Sequence, residues 1–495
     1  MQLICLNHRF SFEMENILRI FFPMEKIAVI TQDLPVTDEV FRTCLTVQDE
    51  TVLLSADACL DGRIAHSERV VQCSAESEDR SELMLAAALC DCLTQLTGYK
   101  PPWGLLTGVR PSKLMRRLIE DMGKEAAFSY FVNVLEVSAD KTRLAAAVAE
   151  AEDDAVALSV PESCSQYVSV PFCPTRCSYC SFVSHSVQSA AKLIPQYIQL
   201  LCREIEENAS YVDALGLRNE TVYIGGGTPT SFSAQQLRSI TDTISRCMDV
   251  HALREYTVEA GRPDTIDEEK LRVLYQAGVT RISVNPQTFR PEVLEQIGRR
   301  HSVEDIYTAF RLAREIGFDN INMDLIAGLP GDSLEGFTDS LQQAIALDPE
   351  NITVHTLALK RSSTLVTDRI WQKAARETEQ MLDTASALLT AAGYRPYYMY
   401  RQSKSIGNLE NVGWCKPGKE CLYNIYMMEE IHTVLAAGGG AVTKLKDPHS
   451  TLLERIFNFK YPYEYVSRYD TLSERKTKIT EFYKLHASDI LRSAD

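Results

Sequence analysis

The chain has 495 residues, 45% of them apolar and 24% charged, and carries a formal net charge of −16. That length calls for two or three domains, and that balance for a soluble globular protein rather than a disordered one. The acidity argues against a surface that tracks phosphate, so nucleic acid is not an expected partner, and no apolar run approaches the roughly 18 to 20 residues of a membrane-spanning helix.

The first stretch, MQLICLNHRFSFEMENILRIFF, places Glu13 and Glu15 within its apolar part and lacks a small-residue cleavage site, so it does not read as a signal peptide. The expected location is the cytoplasm, and there fourteen cysteines read as free thiols and metal ligands rather than disulfides. Residues 1–161 mix short β-like runs, Ile27 to Ile30 and Thr51 to Leu54, with helical stretches such as Ser81 to Leu96 and Lys141 to Leu158. They predict an α+β domain, closed by the acidic AEAEDD tract and a linker over Pro161 to Ser165.

From 165 to 395 an apolar strand, a short turn and a helix repeat six times. The strands start near Tyr167, Thr221, Tyr256, Arg281, Ile321 and Ile352, with amphipathic segments between them such as Ala234 to Met248 and Val303 to Ile316. That alternation predicts parallel strands joined by right-handed crossovers. The expected fold class is α/β, a partial (β/α)6 relative of the TIM barrel with its chemistry at the C-terminal strand ends. Residues 396–495 hold the run AAGGGAV, aromatic clusters and a basic helical tail, and read as a small C-terminal module.

Three cysteines stand within CPTRCSYCSF: Cys173, Cys177 and Cys180. Thiolates are soft, strongly donating ligands that favour zinc or iron–sulfur groups. His185 follows closely enough to complete a Cys3His zinc site, so zinc stays open as a structural alternative. The position, directly after the first barrel strand, suits an active site better. Three thiolates on a four-iron cluster leave one iron open, as a reactive cluster requires, whereas an electron-carrying cluster is normally held by four.

The second strand ends in GGGTPT, Gly225 to Thr230, where successive glycines admit a ligand close to the backbone or simply make a tight turn. Glu259, Gln287 and Asp324 lie at or near the ends of later strands; each alone reads as a rim or capping residue, while their recurrence predicts a shared pocket.

Cys-x3-Cys-x2-Cys after a first strand, with Tyr179 before the last cysteine, resembles the radical S-adenosylmethionine (SAM) enzymes. The series YVSVPFCPTRCSYCSF, YIGGGTPT, YTVEAGRPD, RISVNPQTF, IGRRH, INMDLIAGLPG and KPGKECLYN, over roughly 165 to 445, is similar in order to the oxygen-independent coproporphyrinogen III oxidase family. PPWGLLTGVRPSKL and MYRQSKSIGNLENVGWCKPGKECLYNIYMMEE resemble its HemZ branch. The resemblance implies a [4Fe-4S] cluster on Cys173, Cys177 and Cys180. It places SAM against Tyr167, Gly226 and Glu259, with Tyr179, Gly227, Thr228, Gln287, Arg299 and Asp324 lining a neighbouring second molecule, and it implies no catalytic side chain beyond these sites.

The implied reaction is radical abstraction of a β-hydrogen from propionates of coproporphyrinogen III, leaving two vinyl groups with loss of carbon dioxide. The implied partners are the porphyrinogen, or heme, and an electron donor such as flavodoxin or ferredoxin. The family's dehydrogenases carry a fourth cysteine where this chain has Phe182, and the heme-chaperone branch also has an aromatic there. A heme chaperone, for which His8, His185, His301, His355, His432 and His449 are possible iron ligands, is the alternative, as is a radical reaction on another substrate. Arg110, before the helix-starting Pro111, is a further candidate for an anionic group.

Overall fold

The fold was described from a computed structural model, over residues 1–72, 77–180, 184–358, 371–402, 404–487 and 490. The chain forms two compact units. The first gathers Met1–Ala149 with two distant segments, Thr356–Gln380 and Met399–Asn411; the second is made of Glu150–His355, Met381–Tyr398 and Val412–Asp495.

The first unit has a five-stranded sheet of order β2-β1-β3-β4-β5, built from β1 (Gln2–Leu6), β2 (Ala28–Ile30), β3 (Val40–Gln48), β4 (Thr51–Leu60) and β5 (Arg63–Gln72). Its first three strands pair in parallel and its last three as an antiparallel meander. In β4 alternate residues from Val52 to Ala58 are buried, the period-2 pattern of a sheet with one covered face. The helix Ser77–Thr97 lies across β4 and β5.

Within this unit the two outer motifs of the sequence meet. Trp103 Nε1 and Lys141 Nζ each donate to Glu410 at 2.7 Å, one to each carboxylate oxygen. The buried Arg401 guanidinium donates to the carbonyls of Leu106, Gly108 and Asn408 and lies over the Trp103 ring. A buried pair of this kind tolerates poorly the loss of either partner.

The second unit is built on β6 (Ser163–Val170), β7 (Phe172–Cys173), β8 (His185–Ser186), β9 (Arg218–Gly226), β10 (Glu255–Gly261), β11 (Arg281–Val284), β12 (Ile321–Ala327) and β13 (Asn351–Thr356). β14 (Arg395–Arg401) and β15 (Glu410–Cys415), whose residues 399–401 and 410–411 are counted with the first unit, complete the larger sheet with β16 (Thr433–Ala437), β17 (Val442–Lys446) and β18 (Leu453–Phe457); its order is β14-β15-β13-β12-β11-β10-β9-β6-β16-β17-β18. The six expected barrel strands are β6 and β9 to β13, neighbours in chain order, and from β6 through β12 they pair in parallel. The barrel is therefore partial, as the sequence predicts. What the sequence did not disclose is how its two flanks are extended: β16 pairs in parallel with β6 and leads into the β17–β18 meander, while β15 runs antiparallel to β13. Both additions move the unpaired edges away from the first and last barrel strands.

Each barrel strand alternates in character. Val222 and Ile224, Tyr256 and Val258, Ile282 and Val284, and Met323 and Leu325 occupy one face and are fully buried. The crossover helices Val303–Ile316 and Leu334–Ala346 contact β11 and β12. The other face carries Thr221 and Tyr223, Glu255, Thr257 and Glu259, Arg281 and Ser283, and Asn322 and Asp324. The helices start where the sequence can cap them: Ser233 with Gln236 and Ser302 with Asp305 form reciprocal capping boxes.

Candidate active site at the C-terminal strand ends

β6 runs into Pro171 and then β7, so the backbone delivers Cys173 at the end of the sheet. β7 is held by β8, with Phe172 opposite His185 and Cys173 opposite Ser186. Cys173, Cys177 and Cys180 are free thiols, each half-buried on this loop. Cys180 N donates to Cys177 O at 3.2 Å, which turns the two residues into one tight bend. Thr228 Oγ1 lies 3.5 Å from Cys173 Sγ, in hydrogen-bonding geometry. Burial raises the Cys173 pKa, partly offset by hydrogen bonds from Thr228 and Ser184.

A second layer pins the cysteine loop to the segment after β11. Ser178 N donates to Ile297 O at 3.0 Å and Thr175 Oγ1 to Gly298 O at 3.1 Å. Arg299 donates from Nη1 to Asn285 O at 3.0 Å and from Nη2 to the Tyr179 hydroxyl at 3.1 Å. Arg262, buried and gripping Asp264, donates from Nη1 to Thr175 Oγ1 at 2.8 Å and to its carbonyl at 3.2 Å. Tyr179 and Arg299 were expected here. Arg262, Thr175 and Asn285 were not singled out, although Arg262 stands in the quoted YTVEAGRPD and a charged residue amid so apolar a strand end was the available signal.

The glycines are required by the protein's own packing. A Cβ on Gly227 would lie 2.5 Å from Phe172 O, and one on Gly225 would lie 2.9 Å from the Glu259 carboxyl. Gly226 has φ of 110°, a region open to glycine. Gly227 N donates to Val170 O and Thr228 N to Phe172 O, at 2.8 and 2.7 Å, so this turn is stitched to the base of the cysteine loop. The same base is gripped from AAGGGAV: Ser169 Oγ donates to Gly439 O at 2.9 Å, and Gly438 N donates to the buried Glu204 at 2.7 Å. Glu204 in turn meets the fully buried Lys476 ammonium at 2.6 Å.

Glu259 stands beside the glycine turn. Its carboxylate accepts from the Tyr223 hydroxyl at 2.7 Å and from Gly226 N at 3.2 Å. Burial is the dominant influence and raises its pKa to about 7 against those two hydrogen bonds, with the nearby Asp324 charge adding to the rise. The expected Tyr167 stacks with Tyr223 and Tyr423 at centroid distances of 6.3 and 6.2 Å, and Tyr223 with Tyr423 at 4.5 Å. Tyr223 and Tyr423, which complete this aromatic wall, were missed; nothing in strand periodicity tells a stacked tyrosine from a core one.

On the next strands Asn322 Nδ2 donates to Asp324 Oδ1 at 2.7 Å, Thr353 Oγ1 to Asn322 Oδ1 at 2.9 Å, and His355 Nε2 lies 3.7 Å from Asp324 Oδ2. Burial would raise the Asp324 pKa, but His355, Asn322 and the buried Arg281 together carry it below the usual carboxylate range. Gln287 adopts φ of 69°, unusual for a non-glycine residue. The conformation lets its backbone bridge β12, donating to Asp324 O and accepting from Ile326 N at 2.9 and 3.0 Å. The structure thus gathers Tyr167, the three cysteines, Tyr179, Gly226, Gly227, Thr228, Glu259, Gln287, Arg299 and Asp324 around the C-terminal ends of β6 and β9 to β12. Phe182 lies outside the described residues.

Of the other histidines, His432 is at the opposite end of β6. Both its ring nitrogens are engaged, with Ser159 Oγ at 2.9 Å and Ser165 Oγ at 2.8 Å, and it lines a cavity of about 220 Å³ there. His301 is buried beside Asp264, and among the described residues neither of its ring nitrogens is hydrogen-bonded. Arg110 immediately precedes the helix Pro111–Met122 and provides no side-chain cap to it.

The donor set fits an iron–sulfur cluster. Cys173, Cys177 and Cys180 are free thiols on one loop, the soft ligands such a cluster takes, and three of them leave one iron open. On the segments that Arg299 ties to this loop, the buried Ser283 Oγ, Asn285 Oδ1 and Arg299 Nε have no hydrogen-bond partner among the described residues, leaving polar groups that a ligand could satisfy.

The Radical SAM superfamily profile matches residues 167–344, and proteins of that superfamily use a [4Fe-4S] cluster and S-adenosylmethionine. The chain is 35% identical over 477 residues, 94% of this chain and 95% of the relative, to the oxygen-independent coproporphyrinogen-III oxidase-like protein HemZ of Bacillus subtilis. It is 33% identical to the heme chaperone HemW of the same organism over 60% of this chain and 77% of that protein. Among solved structures, coproporphyrinogen III oxidase HemN of Escherichia coli superimposes with a TM-score of 0.50 at 24% identity, covering 66% of this chain and 73% of that one, and shares its fold. The chain belongs to the radical SAM family of HemN-, HemW- and HemZ-like proteins.

Proposed function

We propose that the protein converts two propionate side chains of coproporphyrinogen III to vinyl groups without oxygen, giving protoporphyrinogen IX. Each conversion loses a β-hydrogen, carbon dioxide and one electron. The cluster with its SAM supplies the radical that takes the hydrogen. In this reading Cys173, Cys177 and Cys180 hold the cluster. Tyr167, Gly226 and Glu259 hold the SAM on it, while Tyr179, Gly227, Thr228, Gln287, Arg299 and Asp324 line the neighbouring site. Glu259 would receive the methionine ammonium as a carboxylate, and its proton must leave first because burial raises its pKa to about 7. The stacked tyrosines would keep water from that carboxylate. The reaction belongs in the cytoplasm, with a flavodoxin or ferredoxin as reductant; among the described residues no helix is long and apolar enough to cross a membrane.

The observation that carries this reading is the match to HemZ, which extends over 94% of the chain and so through both outer motifs. Phe182, in place of the dehydrogenases' fourth cysteine, favours the second reading, a heme chaperone, as does the likeness to HemW. The two separate in one anaerobic incubation of reconstituted protein with coproporphyrinogen III, SAM and dithionite. Protoporphyrin formed with two equivalents of 5′-deoxyadenosine supports the dehydrogenase. Stoichiometric heme binding with neither product supports the chaperone, and deoxyadenosine without protoporphyrin points to another substrate.

A further inference from the structure

The cysteine loop reaches solvent, and exposed cations and aromatic rings stand within it and on the segments that join it. Arg176, within the loop, is exposed. β8, the strand that holds Cys173, carries His185, whose ring meets Tyr461 and Tyr463 edge-on, each at 6.4 Å. The two tyrosines stack on each other at 5.6 Å and remain 38% and 53% exposed. They belong to this face through Pro462 between them: a Cβ on Gly439 would lie 3.7 Å from Pro462 Cα and 3.6 Å from the Pro171 ring, at the entry to the cysteine loop. Exposed Lys460 precedes Tyr461, and exposed Lys192 follows β8 by a few residues. Among the described residues the side chains of Arg176, Lys192 and Lys460 make no ion pair or hydrogen bond. The acid on the same aromatic segment is the half-buried Glu464.

Exposed stacked tyrosines are the residues that anchor protein interfaces, and unpaired cations at a rim raise association rates with an acidic partner. In a chain of net charge −16, an acidic partner is repelled over most of the surface, so a local positive rim would select where it lands. We propose that this patch is the docking site for an acidic one-electron carrier protein of the flavodoxin or ferredoxin kind. It is seated on Tyr461, Tyr463 and His185 and steered by Arg176, Lys192 and Lys460. At each encounter the carrier gives up one electron and the chain gains it, with no bond formed or broken. The inference rests on the reading of the cysteine loop as the cluster site.

The test uses the full chain, with and without reconstituted iron, and an acidic bacterial flavodoxin as probe, its binding measured by calorimetry at low and at physiological salt. The wild type should bind with an affinity that falls as salt rises. Lys192→Glu/Lys460→Glu should weaken binding about tenfold or more, and Tyr461→Ala/Tyr463→Ala should weaken it as well, while iron content and the rate of reduction by dithionite stay at wild-type values. Flavodoxin binding that is absent in the wild type, or unchanged by both double variants, overturns the docking site. Failure of dithionite to reduce reconstituted wild type overturns instead the cluster reading on which it rests.

Discussion

Glu259→Gln isolates the most perturbed carboxyl of the candidate site. In the folded chain its pKa lies near 7 against an ordinary 4.5. The difference of roughly 2.5 units corresponds to about 3 kcal/mol at 1.36 kcal/mol per unit. The folded state holds a proton on Glu259 more tightly than the unfolded state does. The associated stability is therefore fully present below about pH 4.5 and is lost as pH rises through 7. Glutamine cannot ionise, and it can keep both contacts, accepting from Gly226 N and donating to the Tyr223 oxygen. His301 and His432, whose pKa values burial lowers to about 4, run the other way, losing stability as pH falls from about 6.5. They are common to both proteins and cancel in the comparison. Urea unfolding of the cluster-free chain at pH 5 and pH 8 should show wild type losing about 2.5 kcal/mol relative to Glu259→Gln over that interval, the rest of the change lying outside it. A pH-titrated infrared difference spectrum should show a protonated carboxyl band with a midpoint near 7 that the variant lacks. A stability difference that stays flat from pH 5 to 8 refutes the argument that burial dominates at this carboxyl.

Gly227→Ala places a methyl group 2.5 Å from Phe172 O, so β7 must shift and carry Cys173 with it. Iron bound after anaerobic reconstitution should fall well below the wild-type amount while far-ultraviolet circular dichroism is retained. In the first unit, Lys141→Met leaves Glu410 buried with only Trp103 donating to it among the contacts described above. The expected cost in thermal or chemical unfolding is about 3 to 5 kcal/mol, with partial recovery in Lys141→Met/Glu410→Leu.

Strand and helix positions in the barrel were legible because period-2 and period-3.6 patterns are local properties of a chain, and the cysteine spacing because it lies within eight residues. The family resemblance added the remaining candidate residues, from Tyr167 to Asp324, which stand on or beside the strands that lead to the cysteine loop. Less was legible of what supports them. Arg262 holds Thr175 across 87 residues and Tyr423 stacks on Tyr223 from β-strand to helix, and neither partner carries a local pattern that names the other. GGG at Gly225 to Gly227 suggested room for a ligand, whereas the structure shows two of the three glycines pressed against protein atoms.

By itself the amino-acid sequence determined the alternation that makes six parallel strands, the loop that presents three thiols together, and the polar residue types on the strand face opposite the crossover helices. Only the tertiary structure decided that residues 371–380, 399–402 and 404–411 fold with the N-terminal unit, that β16 joins β6, and that Glu204 and Lys476 brace the base of the cysteine loop. The division follows from range: hydrophobic periodicity and thiol spacing act within a few residues. Edge pairing, buried charge compensation and the burial that raises the Glu259 pKa exist only once distant segments exclude water from one another.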